Sequence, residues 1–247
     1  MTTLSSLPGL RVAVTGGTSG LGLALVQALR DRGGRVAVVA RQPQRVADVA
    51  REHPGTHGIA GDVSRKDETY PIALRITAAL GGLDVLINNA SSLGPVPLAL
   101  LADTECEDLE AALATNLVGP FRLTKALLGA LGAAAREGRP ALVINIVSDA
   151  AVTPYVGWGA YGVSKAALLH LSRIWDQELE PHGVRVHAID PGDMDTALHA
   201  LAVPDADRAS LKRPADAARE IVGFVEAFVR EKESFGESRH HADPTPA

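Results

Sequence analysis

The amino-acid sequence predicts an α/β fold, a doubly wound parallel sheet with helices on both faces, and three observations carry that expectation. Short β-branched runs alternate along the chain with longer segments rich in alanine and leucine, the pattern of βαβ units. The β-branched runs are mostly continuous in apolar residues, so both faces of each strand are expected to be covered. No internal repeat and no Pro/Gly/Ser linker divides the 247 residues, 46% of them hydrophobic, which suffices for one continuous core.

In chain order the expected strands are Arg11–Thr15, Arg35–Ala40, Thr56–Gly61, Asp84–Asn88, Ala141–Val147 and Val184–Ile189. Helical periodicity fills the intervals at about Leu21–Arg32, Gln44–Arg51, Lys66–Leu80, Glu105–Glu137, Ala160–Glu180 and Ala215–Lys232. The helix from Glu105 opens on a capping-box signature, Thr104-x-x-Glu107, whose hydroxyl and carboxylate can satisfy free amides of the first turn. Residues 1–233 are expected to form one domain. Residues 234–247 read as a polar tail, with a weak edge strand near Phe235–His241.

Composition narrows the function. With 24 Lys+Arg against 29 Asp+Glu the net charge is −5, so nucleic acid and anionic lipid find no general attraction. One cysteine, Cys106, excludes an intramolecular disulfide or a Cys-based zinc cage and fits a reducing, cytoplasmic setting. The start lacks a basic stretch followed by an apolar one, so no secretory signal is expected. Val12–Leu29 carries no charge, but its glycines, threonines, serine and glutamine suit a strand, turn and helix better than a membrane span. His53 and His57 have metal-like spacing, but Pro54-Gly55 between them prevents a helix, and no metal site is expected.

Immediately after the first strand comes Thr15-Gly16-Gly17-Thr18-Ser19-Gly20-Leu21-Gly22, and a helix follows. Such a turn lets backbone amides approach a pyrophosphate, and the helix N-terminus adds partial positive charge. The second strand ends Val39-Ala40-Arg41, where an adenosine ribose would sit. A carboxylate there would accept hydrogen bonds from both ribose hydroxyls, whereas a cation favours a 2′-phosphate. Arg41, with Arg45 as a second contact, therefore predicts NADP(H) over NAD(H).

Tyr161 and Lys165 lie at i and i+4 and so share a helix face. Thirteen residues before Tyr161, at the end of an apolar strand, stands Ser148. The glycine turn, Asn88-Asn89-Ala90, Ser148, Tyr161-x-x-x-Lys165 and Pro191-Gly192 occur in the order and spacing of the short-chain dehydrogenase/reductase family. From about Leu10 to Thr196 the chain resembles the shorter branch of that family, a Rossmann-like fold, rather than the longer branch that includes sugar epimerases.

The resemblance makes residues 1–233 a dinucleotide-binding catalytic domain. It implies that Thr15, Gly16, Thr18, Ser19, Gly20, Leu21 and Gly22 form the pyrophosphate turn. Asp62 and Val63 would meet the adenine, Asn88 and Ala90 its ribose, and Pro191, Gly192 and Thr196 the nicotinamide end. Asn116 matches the family's fourth catalytic residue, holding a water that links Lys165 to solvent. The implied reaction is hydride transfer between the nicotinamide and a carbonyl or alcohol carbon. Tyr161 would be the acid/base, Ser148 would orient the substrate oxygen and Lys165 would bind ribose.

A tyrosine ordinarily titrates at about 10, so acid/base work near neutral pH asks for about 3–4 kcal/mol of extra phenolate stabilisation. The Lys165 ammonium is expected to supply much of it. Leu93, Ala150, Val152, Tyr155, Trp158, Met194, Leu198 and Leu201 predict an uncharged, partly hydrophobic substrate under a small lid.

Two departures stand out. Ser91 occupies a position where the family more often has glycine, which is expected to narrow the adjacent loop. No apolar strand ending in Asp-Gly-Gly is found near the C-terminus, so the family's seventh strand is weak or altered. By resemblance, the helices carrying Asn116 and Tyr161 would pack against a second copy, giving a homodimer or homotetramer. The alternatives are NAD-dependent alcohol oxidation and a catalytically idle dinucleotide-binding regulator.

Overall fold

A computed structural model describes residues 6–240 of the chain. Six strands, β1 (Arg11–Thr15), β2 (Arg35–Ala40), β3 (Thr56–Ala60), β4 (Val85–Asn88), β5 (Leu142–Ile146) and β6 (Arg185–Ile189), form one sheet. The sheet is parallel throughout, in the order β3-β2-β1-β4-β5-β6. The chain winds outward from β1 to β3, then crosses back to lay β4 against β1. That reversal opens a crevice beyond the strand C-termini, where ligands bind in doubly wound sheets.

The helices are α1 (Gly20–Asp31), α2 (Pro43–Glu52), α3 (Thr69–Leu80), α4 (Cys106–Leu113), α5 (Gly119–Arg136), α6 (Gly159–Leu179), α7 (Ala197–Ala202) and α8 (Pro214–His240). Successive strand residues face opposite sides. Val12, Val14, Val36 and Val38 meet Leu25 and Leu29 of α1 and Ile221 and Val225 of α8. Ala13, Ala37, Leu86 and Val143 meet Ile72 and Ile76 of α3, Leu123 and Leu127 of α5 and Trp175 of α6. The sheet is thus buried on both faces, as the continuous apolar runs require.

Three expectations are corrected. The single helix from Glu105 to Glu137 is instead α4 and α5 joined by a π-helical turn, Ala114–Val118. The cause lies in Pro120, which has no N–H for the Asn116 carbonyl four residues before it and whose ring crowds that carbonyl. Widening to an i+5 bond, Gly119 N–H to the Ala114 carbonyl, relieves the crowding. The capping box is not formed. Glu105 is the N-cap without a side-chain bond, and the Thr104 hydroxyl donates to the Leu100 carbonyl at 2.9 Å, closing the 3-10 turn Leu101–Asp103 instead. The edge strand near Phe235–His241 is absent: α8 continues through His240, and His241 lies outside the described residues. Among the described residues β6 is therefore the sheet's edge, with no seventh strand beside it.

At the opposite end of the sheet from the crevice, Asp84 is fully buried between two guanidinium groups. Arg11 Nη2 approaches Asp84 Oδ1 at 2.6 Å and Arg139 Nη2 approaches Oδ2 at 2.6 Å, while the Arg11 backbone N–H donates to Oδ2 at 2.8 Å. One carboxylate thus ties the start of β1 to the start of β4 and to the loop before β5. Burial alone would raise its pKa, but the hydrogen bonds from Arg139 and Arg11 outweigh it and hold the carboxyl below the ordinary range.

Asp84→Asn is expected to destabilise the fold by about 3 kcal/mol at neutral pH, because it removes the buried carboxylate with which the partly exposed Arg11 and Arg139 are paired. A carboxylate with a depressed folded-state pKa stabilises fully above its unfolded value, and that stability is lost as pH falls through the folded value. Urea denaturation of both proteins should therefore show the gap narrowing as pH drops below about 4. A gap that stays constant with pH would contradict this role.

Candidate active site

The turn after β1 is shaped by close approach. Gly16 has φ +68°, in the left-handed region, and a Cβ on Gly22 would stand 2.2 Å from the Gly16 carbonyl oxygen. Only glycine at position 22 lets the first turn of α1 sit against the loop, with its free amides facing the crevice. Asn89 locks the arrangement, its Nδ2 donating to the Thr15 carbonyl at 2.9 Å and the Gly16 carbonyl at 3.3 Å.

A cleft of about 940 Å³ runs from this turn along the strand ends. Gly16, Thr18, Ser19, Gly20, Leu21 and Gly22 line one part of it, with Arg41, Asp62, Val63 and Ala90 beside them. Ser148, Tyr161, Lys165, Pro191, Gly192 and Thr196 line the other part, facing Leu93, Ala150, Tyr155, Trp158, Met194, Leu198 and Leu201. The sequence reading thus places most of its residues on one surface. Arg41 and Arg45 both border the cleft, are exposed, and take no hydrogen bond or ion pair from any described residue. Close-set glycines, helix amides and two free guanidinium groups fit an anionic dinucleotide.

Three residues expected at the cleft lie elsewhere. Thr15 is buried, and its hydroxyl accepts from the Asn89 and Ala90 amides at 3.0 and 3.1 Å, so it braces the turn and does not line the cleft. Asn88 also points away. It is buried, and its Nδ2 donates to Asn145 Oδ1 at 2.8 Å and to Thr124 Oγ1 at 3.2 Å, within the sheet and its covering helix. Val152 projects outward, 75% exposed.

Asn116 lies at the π turn, completely buried, with its side chain saturated. Oδ1 accepts from the Ser91 hydroxyl and the Ser92 N–H, and Nδ2 donates to the Ser92 carbonyl and to Ser164 Oγ. That side chain has no hydrogen-bonding capacity left for a water.

The sequence reading missed Asn89, whose role depends on the turn's three-dimensional closure, and three cleft carboxylates, Asp149, Asp190 and Asp193. Asp149 accepts from Ser148 Oγ at 3.0 Å and from the Tyr155 hydroxyl at 2.5 Å. The Tyr155 bond, with help from Ser148, keeps its carboxyl below the usual range despite partial burial.

Tyr161 and Lys165 rise from the first turns of α6 under an aromatic wall. Trp158 meets Tyr161 edge-on with ring centroids 5.7 Å apart, and Tyr155 lies 6.3 Å beyond Trp158. The Lys165 ammonium sits 5.5 Å from the centre of the Tyr161 ring and donates to the Ile146 carbonyl at the end of β5, at 2.8 Å. Burial pushes Lys165 down to about 8, opposed by Asp190. Burial likewise pushes the Tyr161 phenol up to about 12, opposed by the Ser148 and Ser91 hydroxyls. The expected lowering of the phenol by Lys165 is not seen, because the ammonium is turned toward a carbonyl and desolvation dominates. Tyr161 therefore stands as a protonated acid at neutral pH.

Residues 11–207 match the family model for short chain dehydrogenase. The chain is 33% identical over 187 residues to serine 3-dehydrogenase of Agrobacterium fabrum, covering 75% of this chain and 72% of that protein. Its fold superposes on a short chain dehydrogenase from Burkholderia cenocepacia in complex with NADP, with TM-score 0.77, 27% identity and coverage of 90% and 91% of the two chains. It also superposes on the 3-ketoacyl-(acyl-carrier-protein) reductase of Brucella melitensis complexed with NADH, with TM-score 0.81, 22% identity and coverage of 87% and 90%. A glycine turn closed by Asn89, a tyrosine and lysine one helical turn apart, and a match over most of the chain lead to one conclusion: the protein belongs to the short-chain dehydrogenase/reductase family and is an oxidoreductase that uses a nicotinamide dinucleotide.

Proposed function

We propose that the protein is an NADP(H)-dependent carbonyl reductase, with alcohol oxidation as the reverse reaction. The observation that supports this most strongly is the convergence of Ser148, Tyr161 and Lys165 on one wall of a cleft whose other end presents the free Arg41 and Arg45. The cofactor, when bound, supplies the hydride. Gly16, Gly20 and Gly22 would hold its pyrophosphate, Arg41 and Arg45 a 2′-phosphate, and Lys165 a ribose hydroxyl.

Tyr161 delivers its phenolic proton to the substrate oxygen, and Ser148 orients that oxygen. At neutral pH the phenol, raised by burial, carries its proton, the form that reduction requires. Asn116 supports proton supply through its main-chain carbonyl, because Pro120 provides no N–H for it and the side chain is saturated.

The substrate wall combines Leu93, Trp158, Met194 and Leu198 with the carboxylates Asp149 and Asp193. This favours an uncharged carbonyl and disfavours an anionic one. The lid is α7 and the chain after it, stitched down where Asp195 N–H donates to the Lys212 carbonyl at 3.0 Å and Lys212 N–H to the Asp193 carbonyl at 3.0 Å. Phe121, Val163 and Ile174 leave apolar surface on α5 and α6, which supports pairing with a second copy. A single cysteine supports a cytoplasmic location.

Tyr161→Phe removes the acid and should lower turnover of a carbonyl panel about 100-fold or more, with NADPH affinity kept within about threefold. Unchanged turnover would refute the assignment. Arg41→Ala removes a charge-assisted contact and should weaken NADPH binding about tenfold to 100-fold while sparing NADH, as read by nucleotide fluorescence. An equal change for both nucleotides would show that Arg41 does not read the phosphate.

A further inference from the structure

Tyr161 stands in a small apolar cluster of its own, apart from the two clusters that cover the sheet. Leu93 and Ala150 are buried with it, and Leu98, Trp158 and Ala202 pack around them. Three segments therefore meet at the reacting phenol: the chain after β4 (93–101), the chain between β5 and α6 (150–158), and α7 with the residue after it (197–203). The first is pressed against the start of α6, since a Cβ on Gly159 would stand 2.2 Å from the Leu101 side chain.

The same segments turn apolar side chains to water. Among the described residues fourteen large apolar side chains are exposed, and nine of them lie on these three segments. Leu100 is 52% exposed on the first, Val156 85% on the second and Leu201 52% on the third. Single exposed apolar residues are ordinary, but a set gathered at the mouth of a pocket marks a surface that a ligand covers. This set is continuous with the cleft, because Val96, Tyr155, Leu201 and Val203 line it while remaining open to water.

Charge narrows what the ligand is. None of residues 93–101, 150–158 or 197–203 is lysine or arginine. The guanidinium groups of Arg41 and Arg45 border the dinucleotide end of the cleft, whereas the carboxylates Asp149 and Asp193 line the substrate end. A phosphate-bearing chain or an acidic carrier meets no cation on these segments, and a hydrocarbon chain needs none.

We propose that the substrate is a neutral carbonyl compound with a long apolar chain: its carbonyl lies at Tyr161, and its chain leaves the cleft over the three segments and covers Leu100, Val156 and Leu201. This deepens the carbonyl reductase reading and rests on Tyr161 marking the reacting end.

The test is NADPH-dependent reduction of straight-chain methyl ketones of increasing length by the wild type, the double variant Leu100→Ser/Val156→Ser and Tyr161→Phe. A fully buried methylene raises affinity about fourfold, and one lying on a surface with a side in water about twofold. For the wild type, kcat/KM should climb steeply while the chain fills the cleft and more gently as it crosses the rim. The double variant should keep the steep part, with the shortest ketone within about twofold, and lose the gentle part, which lowers the longest ketone about fivefold or more. Straight-chain amides, whose carbonyl the nicotinamide does not reduce, read the same dependence without turnover. By calorimetry their affinity for the NADPH complex should show both parts in the wild type and the steep part alone in the double variant.

A kcat/KM that does not rise with chain length, or a gentle part retained in the double variant, overturns the long-chain substrate and leaves the reductase reading intact. A flat dependence in the wild type, with the double variant dissociating in light scattering, gives the rim to a second copy and also overturns it. Reduction undiminished in Tyr161→Phe removes the reading beneath it, and this inference with it.

Discussion

The contact on which everything else depends is the approach of Gly22 to the Gly16 carbonyl, a spacing that a single methyl group would fill. It brings the N-terminus of α1 to the mouth of the crevice, where unpaired amides and the helix dipole face a ligand. The Asn89 side chain closes the turn from the β4 side, so the first βα unit and the strand across the reversal form one rim. Thr15 contributes from beneath, its hydroxyl accepting two amides of the neighbouring strand end.

The reacting end is positioned by buried polar groups rather than by shape alone. Asn88, Asn145, Thr124 and Ser172 form a network through β4, β5, α5 and α6, and Asn116 joins the π turn to Ser164 on α6 and to the loop after β4. Each buried partner left unpaired would cost free energy, so the helices and strands that carry Ser148, Tyr161 and Lys165 are held in one relative placement. Burial then sets the chemistry. It keeps the Tyr161 proton on and weakens the hold of Lys165 on its own, the state that the proposed carbonyl reduction starts from.

Much of this was legible in the chain itself. Strands β1 and β2 coincide with their apolar runs because fully buried strands carry continuous β-branched sequence. Ser148, Tyr161 and Lys165 were legible because spacing on a helix and at a strand end determines which side chains share a surface. The misplaced residues share a physical reason. Asn88 and Thr15 stand at strand ends, where one residue decides between cleft and interior, and nothing local distinguishes the two faces. Thr104 lost its capping role to a competing 3-10 turn. The break at Ala114–Val118 was signalled by Pro120, but alanine- and leucine-rich neighbours masked it. Asn89 gains its role only once the crevice is closed.

The central claim is that the Gly16–Gly22 turn is a cradle for a dinucleotide, and the most direct test is a fluorescence titration of NADPH against the wild-type protein and Gly22→Ala, with circular dichroism as a check on folding. The account predicts saturable binding to the wild type and at least a tenfold weaker affinity in a Gly22→Ala protein that keeps its helical spectrum, since the added methyl forces the α1 terminus away from the loop. Equal affinity in the two folded proteins, or no binding to the wild type, would contradict it.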